Sequence, residues 1–200
     1  MSNLFKHCEF LISAYKIDQL PPDEGMEIAF AGRSNAGKST TINALTNHKG
    51  LAKVSKTPGR TQLFNCFEFM PNKRLVDLPG YGYAKVPVKM KKHWEKEIDQ
   101  YLMKRESLIG VVIIMDIRHP MKQFDEQMLH WAHESGLHSH VLLNKADKLN
   151  NNDTKKTLMK VSAAISKISA STTCQVFSAL RKTGAAELSG IITPWFTEQS

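Results

Sequence analysis

The sequence predicts an α/β fold in which helices cover both faces of a mixed, mostly parallel sheet of six strands. Three observations predict it. Short apolar segments of strand length alternate with longer amphipathic segments along most of the chain. A phosphate-loop pattern lies between the first such strand and the helix after it. Finally, Pro71-Asn72-Lys73 is a short turn that would make one pair of neighbouring strands antiparallel.

Each predicted element follows from its own pattern. The nearly continuous apolar run Leu108–Ile117 is typical of a strand buried on both faces, and Phe124–His133 has the spacing of an amphipathic helix. The predicted strands are Met26–Ala31, Gln62–Met70, Arg74–Leu78, Leu108–Ile117, Val141–Leu143 and Cys174–Phe177. The predicted helices are Lys38–Leu45, Phe124–His133, Thr154–Ile168 and Ala185–Phe196.

Length and composition indicate one folded domain. The 200 residues, 42% of them apolar, are enough for a single core, which we place at residues 23–200 after a leader of residues 1–22. The leader could pack on the sheet or fray. A formal charge of +8 favours anionic partners. Three cysteines without CxxC spacing fit reduced thiols, and no apolar run is long enough for a membrane helix. We therefore expect a cytoplasmic monomer with no membrane partner.

The strongest motif is Gly32–Ser39, which reads GRSNAGKS and matches GxxxxGK[ST] between a strand and a helix. Its glycines let backbone N–H groups face a phosphate, and the helix that follows adds its positive dipole end. We expect Lys38 to reach the outer phosphates and the Ser39 hydroxyl to ligate Mg²⁺. The motif alone does not separate ATP from GTP.

A second motif, Asp77–Gly80 (DLPG), ends the predicted strand Arg74–Leu78. An Asp at this position can hold Mg²⁺ through a water molecule, and the Gly80 N–H can sense a γ-phosphate. DxxG is common in proteins. It gains weight here from its position after the phosphate loop and the intervening Thr-containing segment.

A third motif, Asn144–Asp147 (NKAD), lies at the carboxyl end of a predicted strand, where open α/β sheets bind ligands. The Asp147 carboxylate can accept hydrogen bonds from both N1–H and the N2 amine of guanine, a pair of donors that adenine lacks. We expect Asn144 to brace neighbouring loops and to meet the base edge, and the Lys145 stem to lie over the ring face. A backbone N–H near Ala179 is placed to meet guanine O6. The alternative is a solvated helix cap with Asp147 at its start.

Taken together, the motifs resemble the EngB family, within the TrmE-Era-EngA-EngB-septin-like GTPases. The resemblance covers residues 24–195 and rests on GRSNAGKS, KTPGRTQ (Lys56–Gln62), DLPGYGYA (Asp77–Ala84), DIRHP (Asp116–Pro120), NKAD and FSA (Phe177–Ala179). It implies a Ras-like P-loop G domain that binds GTP and GDP with Mg²⁺. It also implies GTP hydrolysis during assembly of the large ribosomal subunit, required for normal growth and cell division. The implied partner is the precursor of that subunit, with its rRNA and proteins.

The motifs and the resemblance together give the expected site. The residues expected to contact the nucleotide are Gly32, Arg33, Ser34, Asn35, Ala36, Gly37, Lys38, Ser39, Gly59, Arg60, Thr61, Gln62, Leu63, Asp77, Leu78, Pro79, Gly80, Asn144, Lys145, Ala146, Asp147, Phe177, Ser178 and Ala179. The residues expected to act in hydrolysis are Lys38, Thr61, Gly80 and Asn35. The expected Mg²⁺ ligands are Ser39 and Thr61; Thr57 competes with Thr61, which the family pattern favours.

Intrinsic hydrolysis is expected to be slow. Tyr81 follows the DxxG glycine, where other Ras-like enzymes carry a Gln that orients the attacking water. The missing stabilisation would come from a partner or from a cation. Asn35 looks like the Asn with which cation-dependent relatives hold K⁺ near the phosphates. Arg33 and Arg60 are the rival charges within the chain.

A basic segment after the second motif is the expected RNA contact. It carries Lys85, Lys89, Lys91, Lys92, His93 and Lys96 together with Trp94. In the alternative, Met90, Trp94, Ile98 and Tyr101 or Leu102 form the buried stripe of an ordinary helix whose lysines face water. Asp116, Arg118 and His119 are expected to brace the sheet edge.

Other functions remain open at this stage. The chain could be a nucleotide-gated RNA- or protein-binding module in which hydrolysis is incidental. An ATP-using kinase is disfavoured by NKAD and by the lack of an acceptor-substrate domain. The four histidines between His130 and His140 do not match the HExxH zinc template, since His133 and His138 are five residues apart.

Overall fold

The computed structural model describes residues 3–53, 63–81 and 88–197, with side chains described outside residues 88–95. Its strands are β1 (Glu9–Ala14), β2 (Met26–Gly32), β3 (Phe64–Met70), β4 (Lys73–Asp77), β5 (Leu108–Asp116), β6 (His138–Asn144) and β7 (Thr173–Val176). Its α-helices are α1 (Lys38–Thr46), α2 (Val88–Lys104), α3 (Gln123–Glu134), α4 (Asn151–Ile165) and α5 (Ala185–Ile192). Single 3₁₀ turns lie at Leu4–His7, Ile17–Gln19, Ala146–Lys148 and Pro194–Phe196.

Within these ranges, seven strands form one sheet in the order β1-β3-β4-β2-β5-β6-β7. The five strands from β4 to β7 in that order run parallel, while β3 is antiparallel to both β1 and β4. The predicted turn joins β3 to β4, with Asn72 at a φ of 58°. The predicted α/β class with a mixed, mostly parallel sheet is therefore confirmed.

Helices cover both faces of the sheet and enclose two cores. Apolar residues of α2, α3 and α4 pack on one face, and those of α1 and α5 pack on the other. Successive residues of β2 divide between the cores: Ala29 and Ala31 face the first, Ile28 and Phe30 the second. This double burial explains why the central strands are almost wholly apolar.

The seventh strand comes from the leader. β1 pairs with β3 and forms one edge of the sheet, so the sheet has one strand more than the sequence predicted. Phe5, just before β1, is fully buried beside Phe69, whereas Phe10 and Leu11 remain about half exposed. The strand was missed because its side chains show no alternation of buried and exposed positions.

Two predicted boundaries were wrong. The closing helix stops at Ile192 and is followed by the separate turn Pro194–Phe196, because proline has no N–H to continue the helical bonds. Strand β6 begins at His138, three residues before the predicted Val141. His140 is accommodated in this extension because Thr173 Oγ1 and Gln175 Oε1 lie 2.6 and 3.0 Å from its two ring nitrogens.

A buried ionic cluster fixes the end of α2. Glu27, fully buried near the start of β2, pairs with Arg74 at 3.1 Å and with Arg105 at 2.7 Å. The Tyr101 hydroxyl donates to the same carboxylate at 3.0 Å. Since Gly32 ends β2, the C-terminal end of α2 is anchored at the opposite end of this strand from the phosphate loop.

Candidate functional site

The phosphate loop folds tightly between β2 and α1. Gly37 has a φ of 103°, and a Cβ there would lie 2.3 Å from Asn144 Nδ2, so neither the conformation nor the space admits a side chain. Lys38, buried at the start of α1, donates from Nζ to the Gly32 carbonyl at 3.2 Å. Burial lowers the pKa of Lys38, although Asp77 opposes the shift. The loop thus holds an ammonium group inside its curve, where a phosphate would be bound.

Asp77 lies beside the start of α1. Ser39 Oγ donates to Asp77 Oδ2 at 2.8 Å, while Asp77 Oδ1 is buried with no hydrogen-bond partner among the described residues. Burial raises the pKa of Asp77, against the opposing effects of Lys38 and Ser39. A buried oxygen without a partner is costly, and a hydrated cation next to it would remove that cost.

This arrangement fits Mg²⁺. The ion is commonly bound by one or two protein oxygens together with water and substrate phosphates. The Ser39 hydroxyl and the Asp77 carboxylate supply that set. Nowhere in the described part of the chain do three His, Cys, Asp or Glu residues form a cluster that would hold a metal without a nucleotide.

Gly80 approaches the phosphate loop closely. A Cβ at this position would lie 3.0 Å from Lys38 Nζ and 3.2 Å from the Ser34 Cα. The Ser34 N–H donates to the Tyr81 carbonyl at 2.9 Å, and Arg33 forms a parallel bridge with Tyr81. The DxxG segment and the phosphate loop therefore lie against each other. The sequence predicted this proximity from the order of the two motifs along the chain.

The Tyr81 side chain is directed at α3. Its hydroxyl donates to Asp125 Oδ1 at 2.9 Å, and its ring lies 5.8 Å from that of Phe124. Burial, followed by the nearby Asp125 carboxylate, raises the pKa of Tyr81 well above its ordinary value. Asp125 was not predicted from the sequence; its carboxylate also accepts from the Lys122 N–H at the start of α3.

The NKAD motif joins three loops at the carboxyl edge of the sheet. Asn144 is buried at the end of β6; its Nδ2 donates to the Ala36 carbonyl at 2.8 Å and its Oδ1 accepts the Ala179 N–H at 3.1 Å. This is the bracing that the sequence suggested. The Ala179 N–H therefore has a partner in the protein, where the sequence suggested guanine O6.

Asp147 sits in the turn after β6. Ser178 Oγ donates to Asp147 Oδ1 at 2.6 Å, and this bond is the main reason that the pKa of Asp147 is lowered. The carboxylate therefore stays ionised and can accept hydrogen bonds. Ala146 and Phe177 are joined by a backbone bond of 3.1 Å, which keeps the FSA segment beside the NKAD turn.

Lys145 reaches from the NKAD turn to the phosphate loop. Its backbone is left-handed, with a φ of 65°, and its Nζ donates to the Asn35 carbonyl at 2.6 Å. The same Nζ lies 3.0 Å from Asp116 Oδ2. The sequence placed Asp116 at a sheet edge; its contact with Lys145 was missed, although both residues come at the carboxyl ends of strands.

Part of the expected site lies outside the described residues. Thr57, Gly59, Arg60, Thr61 and Gln62 belong to that part, as do Lys85 and the side chains of the basic segment up to Trp94. Leu63 is half-buried just before β3, and Leu78 and Pro79 are buried after β4. Ile98, Tyr101 and Leu102 are buried, as the helical-stripe interpretation expects.

Comparisons with known proteins agree with this geometry. A family model described as "50S ribosome-binding GTPase" matches residues 27–145. A probable GTP-binding protein EngB of Coxiella burnetii is 51% identical over 195 residues, which cover 98% of this chain and 95% of that protein. The EngB relative from Mannheimia succiniciproducens is 55% identical over 188 residues, covering 94% and 92% of the two chains.

A solved structure supports the fold. The crystal structure of a probable GTP-binding protein EngB has a TM-score of 0.69 with this chain, covering 86% of it and 100% of that protein, at 23% identity. No helix in the described ranges combines the length and the apolar character needed to cross a membrane.

Proposed function

Because the chain belongs to the EngB family of GTP-binding proteins, we propose that it is a cytoplasmic GTPase that hydrolyses GTP slowly and acts as a nucleotide switch in assembly of the large ribosomal subunit. The proposal includes a role in normal growth and cell division. The observation that carries it is the contact between the NKAD loop and the phosphate loop. Asn144 joins the guanine-type NKAD motif to the phosphate loop that surrounds Lys38.

Guanine selectivity follows from the chemistry of Asp147. Its ionised carboxylate, oriented by Ser178, offers two acceptors to the two neighbouring donors of guanine. Hydrogen bonds to a charged group contribute about 1.5 to 3 kcal/mol each. Adenine would leave both acceptors unpaired, which can cost about 10⁴-fold in affinity.

Lys38 and the N–H groups around it would bind the phosphates. Lys38 Nζ donates to the Gly32 carbonyl, and a β- or γ-phosphate would satisfy the ammonium better. Ser39 and Asp77 would hold Mg²⁺, directly and through water. When bound, the ion would neutralise charge on the phosphate oxygens.

The direction of the Tyr81 side chain supports the proposal of slow hydrolysis. Its hydroxyl is bonded to Asp125 on α3, so it is not available to orient an attacking water. We propose that the missing stabilisation comes from K⁺ held by Asn35 or from a ribosomal partner, with Arg33 and Arg60 as the rival charges. A cation or Arg in this role contributes about 10³ to 10⁵ in rate.

The switch would act through Gly80 and Thr61. Gly80 lies so close to the phosphate loop that a Cβ there would be 3.0 Å from Lys38 Nζ, so a γ-phosphate bound by Lys38 would meet the DxxG segment. We propose that Thr61 closes on Mg²⁺ and that loss of the γ-phosphate releases both segments. The basic segment that begins at Lys85 follows Gly80 closely in the chain, which would make its contact with rRNA depend on the nucleotide.

The proposal is tested by binding and turnover together. GTP, GDP and ATP are titrated separately with Mg²⁺, in K⁺ and in Na⁺, and turnover is then measured with and without large-subunit precursor particles. We expect guanine-selective binding, faster turnover in K⁺ and a further rise with particles. Equal binding of ATP would overturn the guanine site. Turnover that stays flat with saturating particles would favour a binding module in which hydrolysis is incidental.

A further inference from the structure

We propose that Asp116 is a positioning residue for nucleotide binding, which, clamped by Arg118, holds the Lys145 ammonium against the Asn35 carbonyl and thereby locks the base-binding loop to the phosphate loop. The inference rests on the proposed function, since it concerns the same site. It assigns a role in nucleotide binding to a carboxylate that lies outside the phosphate-loop, DxxG and NKAD motifs.

The sheet brings Asp116 to Lys145. Asp116 ends β5 and is in register with Asn144, which ends β6 next to it. The Ile117 N–H donates to the Asn144 carbonyl at 2.9 Å and holds the two strand ends together. The Asp116 carboxylate therefore lies beside the residue that follows Asn144, and its Oδ2 is 3.0 Å from Lys145 Nζ.

The Lys145 ammonium joins two backbones that are both in an unfavourable conformation. Lys145 has a φ of 65° and Asn35 a φ of 61°, in the left-handed region that residues other than glycine rarely occupy. The 2.6 Å bond from Lys145 Nζ to the Asn35 carbonyl connects them. Such conformations persist only where surrounding contacts fix them, and this bond is one of those contacts.

Arg118 fixes the carboxylate from its other side. Its Nε donates to Asp116 Oδ1 at 2.9 Å and its Nη2 to Oδ2 at 2.6 Å, a two-pronged pairing that sets the plane of the carboxylate. The Arg118 backbone N–H adds a bond of 3.1 Å. Although burial opposes it, hydrogen bonds from Arg118 and Lys145 hold the pKa of Asp116 well below its usual range.

The two loops are thus joined twice. Asn144 bonds the Ala36 carbonyl through neutral groups, and Lys145 bonds the neighbouring Asn35 carbonyl through a charged one. Only the second link depends on Asp116. If the carboxylate charge is removed, the Lys145 ammonium loses its counter-charge and can turn towards water. The aliphatic part of the side chain, which would lie over the base, is then no longer held in one conformation.

A double-mutant cycle tests whether Asp116 acts through Lys145. The rate at which fluorescent mant-GDP dissociates is measured for the wild type, Asp116→Asn, Lys145→Met and the double variant. Methionine keeps an apolar stem but removes the ammonium. We expect Asp116→Asn to speed dissociation by about fivefold to tenfold, in line with a weakened charge-assisted bond at a partly exposed site. In the Lys145→Met background the same change should have less than about a twofold effect.

The alternative outcomes separate the two proposals. Equal effects of Asp116→Asn in both backgrounds would overturn the inference while leaving the proposed function intact, since a purely structural role does not need the ammonium. A wild type that binds no GDP would overturn both. Asp18→Asn, an exposed acidic position in the leader, is the matched control and should leave dissociation unchanged. If Asp116→Asn does not fold, Arg118→Gln in the same cycle should give a smaller effect that also disappears in Lys145→Met.

Discussion

Replacing Asp147 by Asn should change the preferred base from guanine to xanthine. The amide presents one acceptor and one donor where the carboxylate presented two acceptors. Guanine N1–H keeps a partner, but its N2 amine then faces another donor. Xanthine has a carbonyl oxygen at that position, which accepts from the new amide. Ser178, whose hydroxyl donates to Asp147 Oδ1 at 2.6 Å, can keep the side chain oriented in the variant.

The magnitude follows from the bonds that change. Two charge-assisted hydrogen bonds contribute about 3 to 6 kcal/mol together. Because the amide oxygen of the variant still accepts from guanine N1–H, we take the lower half of that range. GDP affinity should therefore fall by about 10² to 10³-fold, since 1.4 kcal/mol corresponds to a factor of ten.

Binding of mant-GDP and mant-XDP, measured on the wild type and on Asp147→Asn, checks this prediction. Asp153→Asn, the same chemical change six positions later in α4, is the control and should alter neither affinity by more than about twofold. Unchanged GDP affinity in Asp147→Asn would refute the assignment of the base site, as would loss of GDP binding without any gain for XDP.

Three further predictions concern stability and hydrolysis. Gly37→Ala should abolish nucleotide binding and lower the free energy of unfolding by about 2 to 4 kcal/mol, because the new methyl would meet Asn144 Nδ2 at 2.3 Å; calorimetry and GDP titration would check both effects. Tyr81→Phe should lower the free energy of unfolding by about 1 to 2 kcal/mol, because it removes the bond to Asp125. Basal GTP turnover should stay within about twofold of the wild type, and a large drop would contradict the orientation of Tyr81 described above. Burial lowers the pKa of His140 from 6.5 to about 4, so the unfolded chain takes up a proton first as the pH falls. About 3 kcal/mol of stability should therefore be lost between pH 6.5 and 4, and urea unfolding of His140→Gln should lack that loss.

The nucleotide loops were predictable because their signals are local. Gly32–Ser39 carries its glycines, lysine and serine within eight residues, and its strand and helix neighbours are visible in the sequence. The bracing role of Asn144 was also predictable from the chemistry of an amide between loops. The break before Pro194 was readable from the proline itself, yet the apolar spacing of Ala185–Phe196 obscured it.

Contacts between distant residues were not predictable in the same way. Lys145 and Asp116 are 29 positions apart, and only the register of β5 with β6 brings them together. The Tyr81 bond to Asp125 spans 44 positions and depends on where α3 lies. Strand β1 escaped notice because an edge strand exposed on both faces lacks the alternating pattern by which strands are recognised.

The edge position of β1 affects how the chain folds during synthesis. Ser13 and Asn65, whose side chains meet at 2.6 Å across β1 and β3, are 52 positions apart. At about 5 to 20 residues per second, β1 leaves the ribosome several seconds before its partner strand exists. During that interval Phe10 and Leu11 have no strand to pack against. In a chain that lacks β1, the edge of β3 would stay permanently unpaired. N-terminal truncation should thus reduce the yield of dispersed protein through strand-to-strand aggregation before it affects nucleotide affinity.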